Sequence, residues 1–430
     1  MSPSAQTASP ASALPAGKSR PATWIRLTPL HALLLGVFAV LTSINNYPAQ
    51  FVTMLGQAIG MLLLVYAAYL LLARILVGGR WPQALRPVLA WSTVFIGLYC
   101  VGFFVQGSLK GFRYSVLTAL FYLALFVLLA SLRYTSNMLL TLGWCFGLFN
   151  GMLGLWWAAA GMPRIFSAHM TNPNLSGGFF GFSLFFILLA LQIRQHPLLR
   201  LFLAGLAVLT VVLAFISESR AILLALVGLA IVYYSWRWVA RRRWRFNTVF
   251  WLIISMVIAI TALIPVVQML PFFEEATRLS QELFHKSLHS GRNLIWAMVF
   301  QGILDAPVLG HGPYYVPRNL FSTDLSAHSL YLQVALQTGL LGVSALLGLL
   351  FAVWRTFWQG RFDNRVRLAA GFTAALLIHQ TFDVSLTQHN LSLGLLMWMI
   401  MGIGAGLALN PPPTPVHPSH HSIEEAQQRA

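Results

Sequence analysis

The side chains able to do chemistry gather between Leu270 and His328, a polar stretch in a chain that is otherwise one apolar run after another. The stretch closes on Ala327-His328-Ser329-Leu330, so an imidazole stands where polar loop gives way to an apolar run reaching Trp354. An imidazole takes a proton near neutral pH, and the first turn of the helix expected here favours its uncharged form. His328 is therefore a candidate general base; a boundary histidine bonded to Asp324 or to a loop carbonyl is the plainer alternative. Arg292 opens a second, shorter apolar run, Asn293 to Leu304. It could hold an anion together with the free N–H groups at the start of that helix, or simply be solvated. Upstream, Ser217-Glu218-Ser219-Arg220 is a tight turn with almost no loop in which an arginine can be solvated, so Arg220 meets either an anionic ligand or Glu218. Arg164 and His169 share the polar loop Gly161–Asn174, which ends in an Asn-Pro-Asn turn. His311 lies in the turn Asp305–Pro313, whose glycines and prolines let backbone approach a ligand closely.

The elements that position these residues are membrane helices. Hydrophobic residues make up 58% of the 430 and charged ones 9%, with mean hydropathy +0.73, values that exclude a water-soluble globule and give an all-α integral membrane protein. Apolar runs long enough for a ~30 Å hydrocarbon core recur about twelve times, roughly at 28–44, 51–73, 87–107, 115–132, 137–160, 175–193, 199–216, 221–238, 248–270, 329–354, 366–385 and 388–408. The expected organisation is a tail over 1–27, nine transmembrane helices over 28–270, a large loop over 271–327 and three more helices over 328–410. A second tail follows over 411–430. Both tails read as disordered; His417, His420 and His421 in the second could bind a metal, with a plain solvated tail as the stronger reading. Within the large loop, residues 272–289 mix charge with leucines as an amphipathic surface helix does, and the run after Arg292 is too short to span and folds back onto the bundle. Cys100 and Cys145 fall within spans and suggest neither a disulfide nor a thiolate site.

Charge orients the bundle. With the N-terminus cytoplasmic, nineteen of the 27 basic residues fall on the cytoplasmic side and eight on the other, so both termini are expected inside and the large loop outside. The net charge of +17 then anchors cytoplasmic loops to anionic headgroups and calls for no nucleic acid.

An ordered set of residues resembles the O-antigen ligase and polymerase superfamily. It comprises Arg220-xxx-Leu224 after the Ser-Glu-Ser turn, Ser290-Gly-Arg292 with Trp296, Pro307-Val-Leu-Gly310-His-Gly312, and His328-Ser329 opening a helix. The ligase pattern of His, then Asn, Ser or Gln, nine residues and Gly is met by His328, Ser329 and Gly339. Its last position, a Gly, Thr or Tyr after three more residues, is Val343, with Gly342 one place early. The resemblance covers roughly Asn172 to Gly342. It implies a GT-C-like membrane glycosyltransferase of the bacterial inner membrane, inverting and without a metal or other cofactor. The implied donor is undecaprenyl diphosphate-linked O-antigen and the acceptor is the lipid A–core oligosaccharide. His328 would be the base and Arg220 and Arg292 the diphosphate clamps, with Arg164, His169 and His311 as weaker candidates at the periplasmic active site. A polymerase or a protein O-oligosaccharyltransferase would share the donor. A twelve-helix transporter is the non-enzyme alternative, but transporters place ionisable groups near mid-membrane, where this chain has almost none.

Overall fold

The computed structural model describes residues 28–76, 82–106, 113–267, 270–284, 292–313, 315–320, 326–387 and 390–411. The expected tails, residues 285–289 of the surface helix and Asp324 lie outside the described residues. The helices are α1 Pro29–Thr42, α2 Gln50–Leu76, α3 Arg86–Gln106, α4 Thr118–Ala130, α5 Ser136–Ala159, α6 Pro173–Leu191 and α7 Pro197–Ile216. They continue with α8 Arg220–Val239, α9 Arg243–Val267, α10 Pro271–Phe284, α11 Arg292–Asp305, α12 Leu330–Thr356, α13 Asn364–His379 and α14 Leu391–Leu409. The protein is an all-α integral membrane protein; no strand occurs among the described residues.

Among the described residues, ten helical segments are long and apolar enough to cross a membrane. Two of the twelve expected spans are shorter. One is the apolar helix Ser115–Ala130, which begins in a π-helical turn at Arg113–Leu117. The other is α13, whose 16 residues rise about 24 Å, short of a ~30 Å core. It stops at His379, six residues before the expected end, because Gln380 to Ser385 leave the helix to bond neighbouring backbone. Packed on α8, α14 and α6 and buried along most of its length, α13 meets little lipid and need not match its thickness. α9 begins at Arg243, five residues earlier than the apolar run suggests, so that Arg243 and Arg245 are helical.

Hydrogen bonds between chain-distant residues define the two ends of the bundle. At one end Asn410 donates to the carbonyls of Ala130 and Leu132, Arg74 to Ser131, Trp236 to Arg361 and Trp354 to Phe246. This is the arginine-rich end. At the other, Asn46 and Asn390 bond each other, Thr171 N–H meets the Asn46 carbonyl, and Phe166 N–H the Ile216 carbonyl. The polar loops collect at this second end. Caps fix where its helices start: Asn172 accepts from Asn174 N–H with Pro173 at the first helical position, and Asn390 accepts from Leu393 N–H.

Two features of the second end position the loops. α6 presents Gly177 to the Ser217–Ser219 turn; a Cβ there would overlap Ser217 Oγ, so only glycine lets the turn seat this closely. α12 is broken at Gly339 (φ 65°, ψ −167°), a conformation open almost only to glycine. The break leaves backbone groups unpaired inside the helix, and the Pro307–Gly312 turn fills it. Leu340 N–H and Leu341 N–H donate to the carbonyls of Pro307 and Val308, while His311 N–H and Gly312 N–H donate to those of Leu336 and Gln337. Gly310 (φ 67°) faces the break, with its missing Cβ replaced by Gln337 and Thr338 backbone. α11 packs beneath this splice against α12 and α9, around the buried Trp296.

Candidate active site

Arg220 is the first residue of α8, and the turn before it is tightly tied. Glu218 N–H donates to the Phe215 carbonyl, Ser217 Oγ–H to Ala214, and Glu218 itself adopts φ 52°. Left-handed backbone costs a non-glycine residue about 1 kcal/mol, so the packing around the turn is what holds it. Arg164 pairs with Glu218 at 3.6 Å and ties the Gly161–Asn172 loop to this turn; at 63% exposure its side chain adds little stability. The Arg220 side chain is exposed.

Arg292 begins α11 and lies half-buried against the segment after α13. Its Nη2 donates to the Phe382 carbonyl at 3.4 Å, and its guanidinium carbon sits 5.4 Å from the Phe382 ring centroid. Burial first, and then repulsion from Arg220, push its pKa below the usual arginine range, while Asp383 partly offsets both. The two arginines are thus near enough to oppose each other. A half-buried guanidinium with an exposed one beside it favours a ligand with two negative charges, which a diphosphate supplies.

The segment after α13 receives both sides of the site. Asp383 Oδ1 accepts from Val384 N–H, Ser385 N–H and Ser385 Oγ–H, and Gln380 Oε1 accepts from Leu386 N–H, which closes the segment into a rigid loop. The carbonyls of Gln380 and Asp383 both accept from Leu330 N–H, at 3.0 and 2.9 Å. Leu330 is the first residue of α12, so this loop grips the start of α12 with two carbonyls and Arg292 with a third. Beneath it His379 is fully buried, edge-on to Phe182 and within electrostatic reach of Asp383 and Arg292.

His328 precedes that grip. It is not in the first turn of α12, as the sequence suggests. Ser329 is the cap, and His328 lies one residue before it with φ 47°. The Leu330 N–H that would face the imidazole is taken by the two carbonyls, so the helix dipole is a weaker influence than expected. The residue is instead fixed through its neighbours. Trp296 Nε1–H donates to the Ala327 carbonyl at 2.8 Å, and His328 N–H donates to Ser326 Oγ. The side chain is half-buried at the edge of the site.

The two weaker histidine candidates are built into the scaffold. His169 is 6% exposed, shares a hydrogen bond of 2.8 Å with Ser43 Oγ and stands edge-on to Phe149 and Phe179. Burial lowers its pKa to about 4. His311 bonds the Gly302 carbonyl at 2.7 Å and stacks on Tyr315, fastening the splice turn to α11. The structure therefore brings Arg220, Arg292 and the neighbourhood of His328 together, with Arg164 at one remove and His169 and His311 as braces. It adds Phe382, Asp383 and Gln380. A carboxylate near the end of an apolar run, as Asp383 is within 366–385, was the available signal for that loop.

Arg220, Arg292, His311, His328 and Gly339 all fall within residues 205–347, which match the family model described as O-antigen ligase. This segment, about a third of the chain, is similar to the O-antigen ligase superfamily. The O-antigen ligase match runs from within α7 to within α12 and so contains both arginines, the splice turn and the broken helix; the gripping loop after α13 lies beyond it. The O-antigen ligase superfamily is glycosyltransferase-like and includes ligases and polymerases, so the match supports an enzyme at that coarse level. No curated protein matches the chain.

Proposed function

We propose that the protein is an O-antigen ligase: it transfers a glycan from undecaprenyl diphosphate to a hydroxyl of the lipid A–core oligosaccharide, at the periplasmic face of the inner membrane. The observation that carries this is the Phe382–Asp383 loop, which takes Arg292 on one side and the start of α12, just past His328, on the other, with Arg220 close to Arg292. A lipid diphosphate is already an activated leaving group. Two tasks remain for the enzyme: neutralising the departing charge and removing the proton of the incoming hydroxyl.

In this mechanism the imidazole of His328 accepts the acceptor's hydroxyl proton as its oxygen attacks the anomeric carbon. The bond from that carbon to the diphosphate oxygen breaks, and its electron pair leaves on the diphosphate. Arg220 and Arg292 bind that charge in the ground state and more strongly as it grows. Attack opposite the leaving group inverts the anomeric centre. His328 then returns the proton to water. Arginine performs the charge neutralisation that a divalent cation performs elsewhere, so transfer by purified enzyme is expected to continue in EDTA; activity lost to chelator and restored by magnesium or manganese would contradict the clamp.

The deciding experiment is the lipopolysaccharide gel pattern of a deletion strain. Loss of the whole ladder with intact core supports the ligase. Core bearing a single repeat would instead indicate a polymerase, and an unchanged pattern would remove both.

A further inference from the structure

The arginine-rich end has its own arrangement of charge, independent of the proposed ligase activity. Segments 237–245 and 355–367 hold nine arginines against one carboxylate, Asp363. That carboxylate is taken by Arg365, whose Nε lies 3.0 and 3.1 Å from its two oxygens. Three of the other eight arginines lie close over ring faces. Arg245 lies over Trp238 at 4.6 Å and Trp244 at 5.3 Å, Arg361 over Trp358 at 4.3 Å and Phe362 at 4.4 Å, and Arg367 over Tyr233 at 3.9 Å. Stacking orders the guanidinium planes and leaves their in-plane donors to other partners: Arg367 Nε donates to the Tyr233 carbonyl and Arg361 Nη1 to the Trp358 carbonyl.

Two of those donors are costly as they stand. The Nε groups of Arg245 and Arg361 are buried and have no hydrogen-bond partner among the described residues. An unsatisfied buried donor on a charged group is a place where an acceptor oxygen gains most. Both arginines border one aromatic cluster. Phe246, next to Arg245, stacks on Trp354 at 4.9 Å and meets Trp236 and Trp358 at 5.7 and 5.4 Å, and Trp236 donates to the Arg361 carbonyl at 2.7 Å. The positive charge at Arg243 and Arg245 also sits in the first turn of α9, where the helix dipole opposes cations. An anion bound there removes both penalties.

We propose that this end binds an anionic phospholipid carrying two phosphates, with Arg245 and Arg361 as its anchors on either side of the Trp236–Phe246–Trp354–Trp358 cluster. The source is a lipid and not a soluble anion because large apolar side chains lie exposed beside the charges: Trp238 at 49%, Trp244 at 56% and Phe362 at 79%. Aromatic rings of this kind at the ends of spanning helices sit at the headgroup level, with acyl chains below them.

The test is thermal unfolding of the full chain in neutral detergent with added cardiolipin, phosphatidylglycerol, phosphatidylcholine or inorganic phosphate. Cardiolipin raises the midpoint by roughly 5 °C over phosphatidylcholine, as a ligand well above its dissociation constant does. Phosphatidylglycerol gives a smaller increment and inorganic phosphate none. The double variant Arg245→Gln/Arg361→Gln loses the cardiolipin increment, whereas Arg241→Gln/Arg242→Gln keeps it. Should the glutamine pair not fold, Arg245→Lys/Arg361→Lys keeps the charge and still loses most of the increment, because an ammonium lacks the fork. A cardiolipin increment retained in both pairs, or matched by phosphatidylglycerol or by phosphate alone, overturns the site.

Discussion

His328 is held in left-handed backbone between two anchored neighbours, with Trp296 on the Ala327 carbonyl and the gripping loop on Leu330 N–H. Strain kept in place by its surroundings in this way fixes a side chain where flexible backbone would not. His328→Ala is therefore expected to reduce transfer by a hundredfold or more, on the order of a general base's contribution, while membrane levels and donor binding stay normal. Near-normal ligation by that variant would falsify the base. Arg220→Ala should weaken donor binding as well as turnover, and Arg220→Lys should rescue poorly; normal donor binding by Arg220→Ala would remove it from the clamp. His169 gives a different pH signature. Its pKa of about 4 in the folded protein lies below the unfolded value near 6.5, so the unfolded chain binds the extra proton between them. Its contribution to stability is complete above about pH 6.5 and lost as pH falls toward 4. Unfolding midpoints measured from pH 4 to 7 should show His169→Gln less sensitive to acid than wild type; equal slopes would refute the linkage.

At the scale of elements, the break in α12 and the turn that fills it form one unit. Four backbone hydrogen bonds join Pro307–Gly312 to the broken helix, and through His311 and Trp296 the same unit reaches α11 and the Ala327 carbonyl. Gly339→Ala places a Cβ against the Val308 carbonyl in backbone that alanine resists, a cost of at least about 3 kcal/mol. The expected outcome is low membrane abundance, or, where protein accumulates, lost transfer with earlier proteolysis in the 306–312 turn. Wild-type abundance, protease resistance and transfer together would show that the splice is dispensable. The spacing of nine residues between Ser329 and Gly339 acquires a physical meaning here: it sets how far below the gripping loop the turn can enter.

For the whole molecule, the two ends differ in kind. One gathers arginines and aromatic rings, the other the polar loops with Arg220, Arg292 and His328. The uneven distribution of basic residues predicts that a reporter fused near Pro313 reads as periplasmic, and one at Arg243 or after Asn410 as cytoplasmic. A cytoplasmic signal at Pro313 would invert the orientation and discard the proposed site. Within the bundle, the buried Asn150 donates through Nδ2 to Ser183 and Thr210 and so joins α5, α6 and α7.

Apolar run length by itself determined that this chain is a bundle of membrane helices, because hydrophobic burial in lipid needs only the right number of consecutive apolar residues. It also located Arg220 and Arg292 at helix starts, since charge is tolerated where apolar runs end. Three things came only from the tertiary structure. α13 stops at His379, and the loop after it grips α12 and Arg292, a matter of hydrogen bonds between segments about fifty and ninety residues apart. His328 lies outside its helix because the carbonyls of that loop satisfy Leu330 N–H. And α9 starts inside a basic run where Trp238 of α8 and Trp244 of its own first turn lie over Arg245 and Phe246 packs on Trp354 and Trp358, a packing effect that hydropathy along a single segment does not contain.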